Sequence, residues 1–395
     1  MTISVMAQQT SSVDMLENAR GFSTLIKARA DEMEAARRMP ADLARAMADI
    51  GVYRMLRPLS IGGLECSPEI FLKTIEVLAG ADASAGWCAM IGATSGVYSA
   101  YLPPAVAREV YGEGNEMLTG GVFPSMGQAS LSGDHFLVSG HWRWASGSQN
   151  CHWLNGGCTV IEGGEVRKLA NGTPEIRAMI FPASDAELID TWHTMGLRGS
   201  GSGDMKVTGI RVPKERSVSL LIDKPQSDGA LYVFPVFGLL ALGIAAVASG
   251  NARAALDEFR DFAGGARTAG ARKVLAERAP VQQAFAEMDA KLRSARAFLF
   301  DEVALAWQSA QGERRIALET RGRLRLAATH MTRTAAEVCR QAQDLCGGAA
   351  VFTENIMQRK LRDAQTMTAH MMIAPASYEL AGRVLLGLPT DDTLV

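Results

Sequence analysis

The feature that most constrains the fold is a change in the spacing of apolar residues along the chain. The spacing is helical, with steps of three and four, from residue 13 to about 113, alternates as in a strand between about 117 and 221, and is helical again from 233 onward. This order predicts an α+β protein with three domains: an N-terminal helical domain (1–116), a central β-barrel or sandwich domain (117–222) and a C-terminal four-helix bundle domain (223–395).

Two stretches carry specific expectations about local structure. Residues 81–102 are nearly uncharged and predict one buried helix. Phe136, Val138, Trp142 and Trp144 share one parity, which predicts a half-buried strand running through Trp144.

Composition excludes several classes of partner. The 395 residues are 48% apolar and carry a net charge of −2, with no concentrated block of Lys or Arg, which argues against nucleic acid or an anionic membrane surface as a partner. Pro235, Gly238 and Gly243 interrupt the longest apolar run, so it predicts a buried core helix rather than a membrane span. The first 14 residues lack the pattern of a secretory signal, and we expect a cytoplasmic protein.

The cysteines and histidines predict no metal site. The six cysteines are scattered without a C-x-x-C spacing, and the six histidines include no H-E-x-x-H pair. The alternating glycines of residues 199–203 do not form a dinucleotide-binding fingerprint, because a strand pattern rather than a helix follows them.

Four segments together resemble the acyl-CoA dehydrogenase family, and the resemblance covers nearly the whole chain. Residues 51–58 (Gly-Val-Tyr-Arg-Met-Leu-Arg-Pro) and 62–65 (Gly-Gly-Leu-Glu) are similar to the family's passage from helix to loop. Residues 195–202 (Met-Gly-Leu-Arg-Gly-Ser-Gly-Ser) and 210–213 (Ile-Arg-Val-Pro) are similar to its β-domain signature. The resemblance implies an acyl-CoA dehydrogenase-like fold and a homotetramer.

One residue separates this chain from the dehydrogenases that it resembles. Many of them place a catalytic Glu shortly after an Arg-Asp-Ala run, but here no carboxylate lies between Asp363 and Glu379, and His370 stands near that place. Residues 124–129 and 142–147 are similar to segments of two-component flavin monooxygenases. The chain therefore resembles an oxygenase more than a dehydrogenase.

The resemblance implies an oxygenase component that receives reduced FAD or FMN from a separate NAD(P)H-flavin reductase. Its flavin would react with O2 to give a C4a-hydroperoxide, which hydroxylates or epoxidises a small aromatic substrate. Residues 90–96 lack the second His of several relatives, and their small side chains leave room for an indole-like ring. The alternatives are an N- or S-oxygenase on the same scaffold, a dehydrogenase-like enzyme with a displaced base, and a non-catalytic flavin-binding protein.

Two residues are predicted to be catalytic. By resemblance, Ser146 would hydrogen-bond to flavin N5, and His370 would transfer protons with an ordinary imidazole pKa near neutral pH. Read without the resemblance, Ser146 is a turn residue before Gly147 and His370 a packing residue on a helix.

Further contacts follow from the same resemblance. Predicted flavin contacts are Trp144, Ser146, Arg198, Gly199, Ser200, Ser202, Arg267, Arg272, Gly347 and Gly348, and predicted substrate contacts are Trp87, Thr94, Ser95, Phe123 and Met371. Four of these sets have structural alternatives: a plain flexible hairpin for residues 199–203, surface salt bridges for the arginines at 267 and 272, a helix end for the glycines at 347 and 348, and core packing for the tryptophan at 87.

Overall fold

A computed structural model of the chain describes residues 14–112, 114, 117–267 and 272–391, and within them helices precede and follow a region of strands. The first helices are α1 (Met15–Ala28), α2 (Ala30–Ala36), α3 (Ala41–Asp49), α4 (Pro68–Ala81), α5 (Ala83–Ser95) and α6 (Pro104–Tyr111). The later helices are α7 (Val236–Gly265), α8 (Ala279–Gly312), α9 (Leu318–Cys346), α10 (Ile356–Met367) and α11 (Ala376–Leu385). The α+β prediction is confirmed.

The division into three domains stays a prediction. Its first boundary, at residue 116, lies outside the described residues, as do residues 1–13, on which the expected absence of a secretory signal depends.

The prediction of one helix over residues 81–102 is wrong, because Asp82 interrupts it. Asp82 has an extended backbone (φ −153°, ψ 130°), and its carboxyl group accepts a hydrogen bond from Ala85 N at 3.0 Å, so it caps a new helix. After α5 the chain tightens into a 3-10 turn at Gly96–Ala100. The predicted burial is confirmed for α5, where every residue except Ile91 is buried.

The strands form one mixed sheet. They are β1 (Thr119–Ser132), β2 (His135–Trp142), β3 (Trp153–Glu162), β4 (Glu165–Val166), β5 (Ile176–Pro182), β6 (Glu187–Ile189), β7 (Asp204–Pro213) and β8 (Ser217–Val218). Their order is β6-β7-β2-β1-β3-β5-β8, with β4 paired to β3. β1 and β3 run parallel, and the other neighbouring strands run antiparallel.

Trp142 fills the interior of the β region. Its side chain is fully buried, and its Nε1 donates a hydrogen bond to Gly157 O at 2.7 Å. Gly127, Gly140 and Gly156 make room for the ring, because a Cβ atom at any of them would lie 2.4 to 2.5 Å from the indole. The sequence places glycines where the largest buried side chain needs space.

α7 is the buried core helix that the sequence predicts. By length and composition it could cross a membrane, but 83% of its most apolar window is buried inside the protein. Gly250 allows α7 to cross α4 closely, because a Cβ there would lie 2.2 Å from Glu76 O. One apolar core joins helices from both ends of the chain, and a second core lies within the β region.

Candidate active site

Segments that are distant in the sequence meet around the hydroxyl group of Ser146. Ser146 follows β2, Trp87 lies on α5, Ser202 precedes β7, and His370 lies between α10 and α11. Trp87 Nε1 donates a hydrogen bond to Ser146 Oγ at 3.0 Å, and the hydroxyl oxygens of Ser146 and Ser202 are 2.6 Å apart. The rings of Trp87 and His370 are in edge-to-face contact with centroids 5.8 Å apart. Trp87 thus connects the two residues predicted to be catalytic.

The backbone at Trp144 ends the strand before the site. Its φ of 68° lies in the left-handed region, and β2 ends two residues earlier at Trp142. The prediction that the strand continues through Trp144 is therefore wrong. Trp144 is not buried in the sheet. It is 57% exposed and lies two residues before Ser146.

Two loops hydrogen-bond to each other and fix the position of Ser146. Ala145 N donates to Gly203 O at 2.8 Å, and Gly147 N donates to Ser200 O at 2.9 Å. Gly147 has a left-handed φ of 68°, which glycine adopts without strain. Ser146 is therefore a turn residue, as the structural alternative predicts, and it also lies at the centre of the cluster.

Helix α10 holds the loop that carries the other serines. Asp363 Oδ1 accepts a hydrogen bond from Leu197 N at 2.7 Å, and Leu197 O accepts one from Ser200 Oγ at 2.7 Å. Gly196 packs so tightly that a Cβ would lie 2.2 Å from Arg362 O. Burial raises the pKa of Asp363 to about 7. The sequence does not indicate this role of Asp363, because no local pattern reveals a contact across 166 residues.

His370 lies in the connection after α10 and not on a helix, so that part of the packing alternative is wrong. Its Nδ1 accepts a hydrogen bond from Met372 N at 3.2 Å. Because a backbone N–H can only donate, the neutral ring carries its hydrogen on Nε2. Burial, assisted by the positive charge of Arg325, lowers the pKa of His370 to about 4. The expectation of a pKa near neutral is wrong, and the imidazole is uncharged at pH 7.

Two predicted substrate residues on α5 are buried, Thr94 and Ser95. Thr94 Oγ1 donates its hydrogen to Met90 O at 2.9 Å within the same helix. It can therefore accept a hydrogen bond from a ligand but not donate one. The substrate contacts of these hydroxyls stay predictions.

A cavity of about 650 Å³ lies beside the start of α7. Its lining includes the aromatic side chains Tyr101, Tyr232, Phe234 and Phe237 and, as its single charged residue in the described part of the chain, Arg321. Phe237 is in edge-to-face contact with Phe123, a predicted substrate residue, at 4.6 Å between centroids. The cavity therefore adjoins the β region at the strand that carries Phe123.

α9 connects this cavity with His370. Arg325 follows Arg321 by four residues, about one helical turn, and its Nη2 lies 3.3 Å from Met372 Sδ. Met371, the predicted substrate residue next to His370, is 56% exposed. One face of α9 thus extends from the cavity to the segment that contains the imidazole.

Two predicted flavin residues face α2 rather than Ser146. Arg198 Nη1 lies 3.8 Å from Glu34 Oε1, and a Cβ on Gly199 would lie 2.9 Å from Met33 Cβ. These contacts attach the loop of residues 198–203, which carries Ser200 and Ser202, to the N-terminal helices. A direct role in flavin binding stays a prediction for both residues.

Other predicted flavin residues lie at exposed turns. Arg267 and Arg272 are exposed on either side of residues 268–271, which lie outside the described residues. Gly347 and Gly348 are exposed where α9 ends, with a left-handed φ of 58° at Gly347, as the helix-end alternative predicts. Among the described residues no contact joins these four to the cluster of Ser146, Ser200 and Ser202, and their flavin roles also stay predictions.

Comparison with known proteins identifies the family. The family model for the C-terminal domain of acyl-CoA dehydrogenases matches residues 242–375. The indole-3-acetate monooxygenase of Pseudomonas putida is 34% identical over 362 residues, which cover 91% of this chain and 90% of the relative. The chain belongs to the flavin-dependent monooxygenases with an acyl-CoA dehydrogenase fold. As such a monooxygenase it is the oxygenase component of a two-component system.

Further relatives of this monooxygenase agree in fold along the whole chain. The oxygenase subunit HsaA of Mycobacterium tuberculosis is 27% identical and aligns over 98% of this chain and 99% of its own length. The solved structure of HsaA superposes with a TM-score of 0.89 over 98% of this chain and 100% of that chain. XiaF from Streptomyces, solved with FADH2 and glycerol, is 21% identical and has the same fold, with a TM-score of 0.87 over 96% of each chain. The predicted fold and enzyme class are confirmed.

The serine cluster of the monooxygenase fits a flavin. The exposed indole of Trp144 offers a flat apolar surface on which an aromatic ring can stack, and the buried hydroxyl of Ser146 offers a hydrogen-bonding partner two residues away. Among the described residues no group of three or more His, Cys, Asp or Glu side chains is placed to hold a metal ion.

Proposed function

We propose that this monooxygenase binds reduced FAD or FMN from a separate NAD(P)H-dependent reductase and inserts one oxygen atom into a small aromatic substrate by way of a flavin C4a-hydroperoxide. One atom of O2 enters the product and the other leaves as water, while the flavin is oxidised. The observation that carries the proposal is the buried Ser146 hydroxyl, bonded by Trp87 and Ser202, with His370 in contact with Trp87.

The side chains of the cluster have separate roles in this reaction. Ser146 would hold the hydrogen of flavin N5 in place, because loss of that hydrogen would release hydrogen peroxide before the substrate reacts. His370 is uncharged, and its Nε2–H supplies a neutral hydrogen-bond donor to the reacting oxygen. The burial of Trp87 and the serines excludes water from this side of the site.

We propose that the substrate is an indole-type ring that carries a carboxylate. The P. putida relative is named for indole-3-acetate, and the aromatic cavity with Arg321 offers both kinds of contact that such an acid needs. Aromatic walls suit the ring, and a guanidinium suits a carboxylate through paired hydrogen bonds. Arg321 lies on the face of α9 that leads through Arg325 to Met372 beside His370, so the acid group would lie away from the reacting ring.

Assembly and location follow the family expectation. We propose a homotetramer in the cytoplasm. Val351 and Phe352, beside the glycine pair at the end of α9, are 78% and 66% exposed, and apolar exposure of this extent supports a subunit contact at this turn.

Rapid mixing of the protein and reduced FAD with oxygenated buffer tests the oxygenase proposal. We expect an absorbance intermediate distinct from oxidised flavin that decays with product formation when the aromatic acid is present. The pure chain should not oxidise NADH, because its sequence contains no dinucleotide-binding fingerprint. Direct appearance of oxidised flavin with no intermediate, or rapid NADH oxidation without a reductase, would contradict the proposal.

Replacing Arg321 by glutamine tests the substrate proposal. We expect KM for indole-3-acetate to rise about 10-fold or more, because a hydrogen bond between charged groups contributes roughly 1.5 to 3 kcal/mol, while KM for indole changes little. Arg323→Gln is the matched control, since Arg323 is exposed on the same helix and pairs with Glu319. Equal changes in KM for both substrates would show that Arg321 does not recognise the carboxylate.

A further inference from the structure

Three serine hydroxyls form a continuous chain that leads away from the site. Ser146 Oγ lies 2.6 Å from Ser202 Oγ, and Ser202 Oγ lies 2.7 Å from Ser200 Oγ. Ser200 Oγ lies 2.7 Å from the carbonyl oxygen of Leu197. All three serines are buried, so bulk water does not compete for these hydrogen bonds.

The groups at the two ends of this chain of serine hydroxyls, Leu197 O and Trp87 Nε1, fix the direction of every hydrogen bond in it. A carbonyl oxygen only accepts and a serine hydroxyl has one hydrogen, so Ser200 donates to Leu197 O. Ser202 must then donate to Ser200, and Ser146 to Ser202, because any other arrangement leaves two oxygens 2.6 or 2.7 Å apart with no hydrogen between them. At the other end Trp87 Nε1 only donates, and it donates to Ser146 Oγ.

We infer that Ser200 and Ser202 hold Ser146 as a hydrogen-bond acceptor and thereby make the site select reduced flavin over oxidised flavin. The hydrogen of Ser146 is committed to Ser202, and one lone pair of Ser146 accepts from Trp87. The remaining lone pair accepts the N5–H that only reduced flavin carries, whereas oxidised flavin presents an N5 lone pair that needs a donor. The inference rests on the proposed contact between Ser146 and flavin N5, and it makes Ser200 and Ser202 positioning residues.

The end of the serine hydrogen-bond chain at Leu197 is anchored in the helical part of the protein. Leu197 O also accepts from Trp192 Nε1 at 2.9 Å, and Leu197 N donates to Asp363 Oδ1 at 2.7 Å. The hydrogen bonds from Trp87 Nε1 through the three serine hydroxyls to Leu197 O all point in one direction. Because a group that donates a hydrogen bond becomes a better acceptor, this alignment strengthens Ser146 as an acceptor.

Flavin affinities in both redox states test the inference without measuring turnover. The dissociation constants of reduced FAD and FMN, without oxygen, and of oxidised FAD and FMN are compared in the wild type, Ser202→Ala, Ser200→Ala and Ser146→Ala. Ser148→Ala is the matched control, because Ser148 is buried in the same loop as Ser146 but does not belong to the serine hydrogen-bond chain. The midpoint potential of the bound flavin gives an independent value for the ratio of the two affinities.

We expect Ser202→Ala and Ser200→Ala each to bind oxidised flavin about 5-fold more tightly, because the freed hydrogen of Ser146 can then donate to N5. Reduced flavin should bind nearly as before, so the preference for it falls by a similar factor, and Ser148→Ala should match the wild type. Ser200→Ala is decisive, because Ser200 is separated from Ser146 by Ser202.

The opposite results separate the inference from the function on which it rests. Wild-type preference in Ser200→Ala, with the preference lost in Ser146→Ala, would overturn the role of the serine hydrogen bonds and leave Ser146 as a flavin contact. No preference for reduced flavin in the wild type would also overturn the inference, whereas wild-type affinities in Ser146→Ala would overturn the proposed contact itself. Melting of each variant before flavin is added verifies that the fold is retained.

Discussion

Replacing His370 by asparagine is expected to reduce product formation by roughly 100-fold while leaving Tm within a few degrees of the wild type. The side-chain oxygen of asparagine can still accept the hydrogen bond from Met372 N that Nδ1 accepts at 3.2 Å, so the local turn should be kept. The shorter side chain loses the N–H at the position of Nε2. Melting curves, flavin affinity and the yield of hydroxylated product per reduced flavin distinguish catalysis from packing.

Glutamine is the matched variant for this histidine. It reaches about as far as Nε2 and offers a neutral N–H donor, so His370→Gln should recover part of the lost activity. A packing role predicts instead a lower Tm with normal coupling of oxygen to product in His370→Asn, and that result would contradict the catalytic assignment.

The pKa of His370 gives its contribution a defined dependence on pH. With a pKa of about 4, the imidazole stays neutral from pH 6 to 8, so its contribution to product formation should be constant there. It should fall only as the pH approaches 4, because protonation of Nδ1 breaks the hydrogen bond from Met372 N that orients the ring. The free energy of unfolding also decreases at low pH. Between about pH 6.5, where the unfolded histidine titrates, and pH 4, only the unfolded chain gains the proton, so the free energy of unfolding falls as the pH falls.

Local patterns predicted the elements of the fold better than their ends. The alternation of Phe136, Val138 and Trp142 correctly indicated a half-buried strand, since all three side chains are buried. The same pattern failed at Trp144, because parity does not reveal a left-handed backbone. Asp82 carries a signal for a helix start in the sequence itself, since an Asp before an apolar run is a typical N-cap.

The candidate site was only partly predictable for a different reason. The sequence indicated Ser146, Ser202, Trp87 and His370 by resemblance, and the structure brings these four together. It could not indicate the direction of the hydroxyl hydrogen bonds or the neutral state of His370. Both depend on burial and on partners that are remote in the sequence, and no motif records them.

On the proposed function, the serine hydroxyls and the imidazole would together account for oxygen transfer on a dehydrogenase-like fold. A dehydrogenase of this fold needs a charged base for its substrate. Here the corresponding segment presents an uncharged imidazole with one N–H, and the serine cluster presents an acceptor hydroxyl. Neither group is suited to remove a proton from an unactivated carbon, and both are suited to hold hydrogen bonds around a reacting oxygen and the flavin N5–H.

Replacing Ser146 by alanine should shorten the lifetime of the oxygen adduct by roughly 10- to 100-fold, because a hydrogen bond near a charged intermediate contributes about 1.5 to 3 kcal/mol. Oxygen should then be released as free hydrogen peroxide at the expense of product. The substitution removes one buried oxygen atom and leaves the backbone bonds from Ala145 to Gly203 and from Gly147 to Ser200 in place, so the fold should be retained. Stopped-flow absorbance gives the decay rate, and a peroxide assay gives the uncoupled fraction.

Two comparisons make this result specific to the hydroxyl group. Ser148→Ala removes a buried hydroxyl from the same loop and should leave the decay rate unchanged. Trp87→Phe keeps an aromatic ring beside His370 but removes the N–H that bonds Ser146, so it should shorten the adduct lifetime less than Ser146→Ala does. If Ser146→Ala decays at the wild-type rate, N5 is held by another group, and Ser146 would remain only as the turn residue that joins the two loops.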